Sequence, residues 1–148
     1  MSTLDAKIAG LGILQSIISR MASNSFYIKG WDLTIFIGVI ALKKDIIHYG
    51  NAIFWALMVT SFSFFLLDAY YLQQERIFRK IYNILSEKKS DDESVNFFRI
   101  NPMQYEELKG VETLKYTESL FSKTVILFHA PLFFDHYCFF CNVFIKDM

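Results

Sequence analysis

A chain of 148 residues is long enough for one small domain. It is 53% hydrophobic and sixteen of its residues are Phe, more apolar surface than a soluble fold of this size can hide. Lys plus Arg number 15 and so do Asp plus Glu, so bulk charge points neither to a nucleic-acid binder nor to an enzyme of acidic substrates.

Residues 1–25 carry Ile8, Leu11, Leu14, Ile18 and Met21 at the spacing of an amphipathic helix. A cleaved signal peptide is the alternative, since Lys7 precedes an apolar stretch, but Gln15, Ser16 and Arg20 weaken it. The next apolar run, Trp31 to Leu42, is too short to cross a bilayer alone. Extended back to Phe26 it spans, and it then holds Lys29 and Asp32 one turn apart, placed to pair or to snorkel. Lys43 to Gly50 reads as a tight turn. Asn51 to Leu72 comes next, with Asp68 as its one charge over roughly the 20 residues a hydrocarbon core requires. Trp55 near one end and Tyr70 with Tyr71 near the other suit the two interfacial belts. A buried core helix of a soluble protein has the same look, but it needs a larger protein around it.

Backbone groups cannot stay unpaired in lipid, so residues 26–72 are expected to form an antiparallel transmembrane hairpin. The helical pattern continues to about Leu85, and Ser86 to Ser94 reads as a solvated link. Asn101 as cap and Pro102 in the first turn predict a helix through residues 103–121, so that 73–120 forms a cytoplasmic helical segment. Residues 121–148 contain a third apolar run from Thr124, interrupted by His129, Pro131, Asp135 and His136, which either crosses, breaks at Pro131 or ends near Phe134. The fold class expected is thus all-α: an integral membrane protein with a transmembrane hairpin and a third transmembrane helix, assembled as a homo-oligomer. Basic residues concentrate before the first span and after the second, which places the amino terminus and the middle segment in the cytoplasm.

Arg20-Met21-Ala22-Ser23-Asn24-Ser25-Phe26 followed by Lys29-Gly30-Trp31, then Leu67-Asp68-Ala69-Tyr70-Tyr71-Leu72 running into Gln74-Glu75-Arg76-Ile77-Phe78-Arg79-Lys80, resemble the signature blocks of a family of small bacterial multi-pass membrane proteins. Members of that family stand beside nucleotidyltransferase-like partners in anti-phage defence loci, the Hailong type among them, as channel-like effectors. The resemblance covers most of the chain, including Phe121 to Thr124, and departs at His129, where an aromatic residue is expected, and over Asp135 to Met148. It implies a regulated oligomeric effector of the bacterial inner membrane, ion-conducting or membrane-disrupting, controlled by a nucleotide or single-stranded DNA and partnered by a nucleotidyltransferase.

Two or three helices from one chain cannot enclose a pore, so a channel must be a closed homo-oligomer, for which four copies are expected. Its candidate intramembrane polar residues are Asp32, Thr60, Ser61, Ser63 and Asp68, although a lone Ser or Thr more often serves a helix contact. The candidate ligand cluster is Arg76, Arg79 and Lys80 with Arg20, and the same residues also satisfy the positive-inside rule. Cys138 and Cys141 have the spacing of half a zinc site or a redox pair, but no second pair exists and two small apolar thiols are the simpler reading. No catalytic motif, metal site or cofactor-binding motif is recognisable, and no enzyme is expected. The competing class is a non-conducting anchor or assembly subunit that recruits a soluble partner through its middle segment. A remoter one is a membrane enzyme using Asp135, His136 and the thiols.

Overall fold

The computed structural model describes residues 2–42, 49–89, 95–109 and 114–142, and no strand occurs among them. Four α-helices are present among these residues: α1 (Thr3–Ala41), α2 (Gly50–Glu87), α3 (Tyr116–Leu120) and α4 (Lys123–Phe140). The chain divides into two compact units, one of residues 1–24 and 70–119, the other of residues 25–69 and 120–148.

The helix expected over residues 1–25 and the first span form one uninterrupted helix of 39 residues. No proline occurs before Pro102, so nothing in the connecting stretch removes an amide or forces a kink. At its start Ser2 and Asp5 cap each other: the Asp5 amide donates to Ser2 Oγ and the Ser2 amide to Asp5 Oδ2, both at 3.1 Å. The Ser2 hydroxyl, with its amide, holds the Asp5 carboxyl below its ordinary range. The second helix starts one residue before Asn51 and runs to Glu87, 38 residues. Among the described residues it is the one helix long and apolar enough to cross a membrane, and only 22% of its most apolar window is buried.

In the first unit, the core is apolar: Leu14, Ile81, Leu85, Phe97 and Tyr105 pack together. Lys7 Nζ donates to the carbonyls of Ser86 at 3.0 Å and Lys88 at 2.5 Å, supplying to the end of α2 the basic cap that its own last turn lacks. The long helix expected after Asn101 does not form. Asn101 does cap, accepting from the Met103 amide, but the backbone beyond it makes only a 3₁₀ turn at Pro102–Gln104 and another at Glu106–Leu108. Between them Tyr105 is extended (φ −106°, ψ 108°), which turns its ring into the core and lets its hydroxyl donate to the Arg99 carbonyl at 2.6 Å. Burial of this aromatic outweighs the helix propensity of Met103, Gln104, Glu106, Glu107 and Leu108, good helix formers whose preference amounts to only tenths of a kcal/mol each. Ser90 to Ser94 of the expected link and residues 110–113 lie outside the described residues.

In the second unit, residues 25–41 of α1 and 50–69 of α2 are antiparallel, with Lys29 against Asp68, Asp32 against Ser61 and Phe36 packed with Leu57. The turn expected at Lys43 to His48 lies outside the described residues. The third segment is helical through Pro131 to Phe140, an 18-residue helix of about 27 Å at 1.5 Å per residue.

Gly10 packs closely in the first unit: an added Cβ would stand 2.3 Å from the Phe97 carbonyl oxygen. Gly10→Ala is expected to destabilise the protein by about 1–3 kcal/mol through overpacking. Gly12→Ala, with nothing within 4 Å, should be neutral or stabilising by up to about 1 kcal/mol through helix propensity. Melting of the two purified variants in the same detergent checks the pair.

Candidate functional site

Three helices of the second unit each turn a stripe inward. On α1 it is Ser25, Lys29, Asp32 and Phe36, at steps of four, three and four residues. On α4 the same steps give Val125, His129, Leu132 and His136, and α2 contributes Leu57, Ser61 and Asp68. Steps of this kind keep residues on one helical face. Here the face is largely polar. Asp32, Ser61, Asp68, His129 and His136 are none of them more than 2% exposed.

Asp68 is the most heavily engaged. Its Oδ1 accepts from Lys29 Nζ and from Ser25 Oγ, each at 2.5 Å, and Lys29 also donates to Ser25 Oγ at 2.9 Å. Its Oδ2 lies 3.3 Å from His129 Nε2. The other ring nitrogen, Nδ1, faces Asp32 Oδ2 at 3.4 Å, and these two buried atoms have no other partner. Ser61 Oγ donates to Asp32 Oδ1 at 2.6 Å and stands 3.3 Å from His136 Nε2, while His136 Nδ1 donates to the Leu132 carbonyl one turn back. The His136 ring is stacked on Phe36 at 4.3 Å between centroids.

Two carboxylates out of water demand compensation; Lys29 pairs with Asp68, and the His129 ring stands between Asp68 and Asp32, where a proton on each nitrogen would balance their charges. The result is a line of polar groups at 2.5–3.4 Å: Lys29, Asp68, His129, Asp32, Ser61, His136. At the His136 end it runs into apolar packing around Phe36, Leu57 and Leu132, with Phe128 and Phe139 against them. At the other end Lys29 keeps 22% of its side chain exposed.

Of the polar residues expected from sequence, Asp32, Ser61 and Asp68 converge on this line. Thr60 is half-buried, and Ser63 is exposed, its hydroxyl donating to the Val59 carbonyl of its own helix at 2.8 Å. Of the two expectations for Lys29 and Asp32, pairing with each other or snorkelling, neither describes the contact found: Lys29 pairs across helices with Asp68, while Asp32 is engaged by Ser61 on one oxygen and faces His129 with the other. Ser25 and His129 are site residues that the sequence reading misses, and His136 enters it only in the remoter enzyme class, although the repetition of the two histidines at a helical step inside an apolar run is a usable signal. Asp135 is exposed where the adjacent His136 is buried, so the two face apart, and Cys138 and Cys141 are half-buried free thiols. In the first unit Arg76 Nη1 lies 3.4 Å from the Glu118 carbonyl and 3.5 Å from Ser119 Oγ, Arg79 pairs with Glu75 at 2.8 Å, and Lys80 and Arg20 are exposed.

The outside of the second unit is the reverse of its inside. Phe26 is 74% exposed, Trp31 63%, Trp55 66% and Leu127 75%, and Val59, Phe62 and Phe134 are open as well. No protein-family model, curated protein or solved structure matches the chain, so the site is interpreted from its own geometry.

Removing one member of a buried ionic set strands the others. Asp68→Ala is therefore expected to cost about 3–5 kcal/mol, read as a lowered melting temperature in detergent, whereas Ser63→Ala should stay within about 0.5 kcal/mol of the parent. Equal melting of the two variants would show that the buried contacts carry no stability.

Proposed function

We propose that the chain is a multi-pass membrane protein that crosses the bilayer with residues 26–41, 50–72 and 123–140, self-associates, and acts as a channel-like effector that lets ions through the membrane. The observation that carries this reading is the inverted second unit, with charged and hydroxyl groups inside and Phe, Trp, Leu and Val outside. Water rewards the opposite arrangement. Hydrocarbon rewards this one, because ionisable side chains there turn to the bundle interior and pair. It also accounts for the polar residues in the apolar stretches of α1 and α4, since Lys29 and Asp32 on the one and His129 and His136 on the other are turned inward. Self-association is supported by Asp135, which is exposed on α4 between exposed Phe134 and Tyr137 and in a single copy would face lipid.

Control by an anionic ligand, a nucleotide or single-stranded DNA, belongs to the same proposal and rests on the resemblance to defence effectors. Arg76 and Arg79 already hold partners of their own chain, so a phosphate-bearing ligand would draw them from Glu118, Ser119 and Glu75. The amino terminus and the stretch after Glu87 are assigned to the cytoplasm of a bacterial cell, since the basic residues cluster there.

Membranes from expressing cells, washed with alkaline carbonate, should retain the full chain. A reporter active only in the cytoplasm should work when fused after Leu85 and stay silent at His48. Release of the chain by carbonate, or the reverse reporter pattern, would overturn insertion or orientation respectively. In liposomes the purified chain should elute as a closed oligomer on re-extraction and should release K⁺, and Arg76→Gln with Arg79→Gln should change the response to added single-stranded DNA while leaving insertion intact. A strictly monomeric chain that releases no ion sinks the channel reading and leaves the anchor.

A further inference from the structure

The buried line of groups in the second unit has more contacts than a neutral cluster has protons to fill. Four contacts link His136 Nε2 to Asp68 Oδ2: through Ser61 Oγ, Asp32 Oδ1, Asp32 Oδ2 with His129 Nδ1, and His129 Nε2. Each needs one proton. Ser61 brings one and a doubly protonated His129 two, and with Lys29 charged this form is electrically neutral. His136 spends the proton on Nδ1 on the Leu132 carbonyl, so one contact is always short of a proton unless His136 takes up a second. A purely structural ion pair has no use for such a shortfall. A proton-carrying chain depends on it, since a proton moves only toward an acceptor that lacks one.

We propose that the second unit is a proton relay, running from Lys29 and Asp68 through His129, Asp32 and Ser61 to His136, and closed at its far end by Phe36, Leu57 and Leu132. This rests on the membrane reading above and names the ion. It does not need the oligomer, because the relay lies within one chain.

The distances suit it. The contacts to both imidazoles are 3.3–3.4 Å, about 0.4 Å beyond an ordinary hydrogen bond, so a small closure of the helices completes each in turn. Lys29 and Ser25 hold Asp68 Oδ1 and leave Oδ2 to the imidazole. The His129 imidazolium releases the proton on Nδ1 to Asp32 Oδ2, and once the ring has turned its bare nitrogen toward Asp68, a proton taken up on Asp68 Oδ2 restores the imidazolium. The Asp32 acid turns about its Cβ–Cγ bond and offers that proton to Ser61 Oγ, whose own proton goes to His136 Nε2. Each hand-over breaks one O–H or N–H bond and forms one on the next atom, and no electrons change hands. From Asp68 to Ser61 the line covers about 10 Å of helix axis, roughly a third of a hydrocarbon core. At the Lys29 end, which lies toward the start of α4, the lysine side chain keeps 22% of its surface exposed. Beyond His136 the packing described is apolar: Phe36 stacks on the ring and Phe139 stands edge-on to Phe36. In this structure the relay is therefore shut by an apolar plug, and water that wets the plug opens it.

The test is proton flux into phosphatidylcholine/phosphatidylglycerol vesicles containing a pH-sensitive dye, driven by a K⁺ diffusion potential with valinomycin. Phe36→Ala and Leu57→Ser, each thinning the plug at a different point, should raise flux at least tenfold over the parent. Adding His129→Phe, which keeps an aromatic ring in place, or Ser61→Ala to either variant should return flux to the parent level. Flux through the plug variants should persist with all other cations replaced by N-methylglucamine. The relay is overturned if both plug variants stay at the level of protein-free vesicles, or if their flux survives both His129→Phe and Ser61→Ala. Release of K⁺ from valinomycin-free vesicles separates the two ideas: K⁺ release with no His129-dependent proton flux refutes the relay and keeps the channel, whereas His129-dependent proton flux without K⁺ release does the reverse.

Discussion

Two carboxylates withdrawn from water, Asp32 and Asp68, set the terms for the second unit. Each must be met by donors from other helices, since its own helix spends its amides on itself. Asp68 on α2 can be met by Lys29 only if α1 runs antiparallel beside it, and His129 reaches both carboxylates only if α4 lies against both helices. Sliding one helix by a turn would leave a charge unpaired, a penalty of several kcal/mol in a medium with no water to repair it. The polar line thus acts as a register device, and the apolar contacts of Phe36, Leu57 and Leu132 conform to it. Apolar packing alone would not choose a register so sharply where the surroundings are as apolar as the side chains.

The two long helices serve two kinds of core. In the first unit the inward residues of α1 are Gly10, Leu14 and Ile18, and in the second they are Ser25, Lys29, Asp32 and Phe36. The first part buries apolar groups, the usual gain from leaving water. The second buries charges, which makes sense where the alternative environment is hydrocarbon. Since the inward chemistry reverses along the helix, no single amphipathic stripe distinguishes it.

That reversal explains how much was legible in the sequence. Apolar length and the continuing helical pattern located α2 to within a residue at its start and two at its end, because length and composition need no partner to be informative. The cap at Asn101 was legible for the same local reason. The features that escaped were decided at a distance: the continuity of α1 across residue 25, the extended backbone at Tyr105 that ends any helix after Pro102, and the choice of Asp68 over Asp32 as the partner of Lys29. Asp32, Ser61 and Asp68 stand out as polar residues in apolar runs, but Ser63 and Thr60 satisfy the same criterion, and only the helical phase set by neighbouring helices separates them. His129 is visible in the sequence only as an interruption of the third run, and His136 as another that could serve an enzyme with Asp135 and the thiols. Seven residues apart on one helix, they gain meaning from the carboxylates that α1 and α2 bring to them.

The direction of these polar groups bears on how ions could pass. A channel formed between copies of a small helical unit takes its lining from outward-facing residues. Here Asp32, Ser61 and Asp68 face inward, and the outward set is mostly apolar, with Asn51, Lys123, Thr124 and Asp135 and the self-satisfied hydroxyls of Thr34 and Ser63 as exceptions. Such a lining wets poorly, and an intersubunit pathway built on it would need Asp135 to gather water. The line inside one copy already has charge, hydroxyl and imidazole within 3.4 Å of one another, and needs a small closure of the helices and access at one end. Moving a few aromatic side chains costs far less than hydrating an apolar tunnel, so the internal route asks for the smaller change in structure.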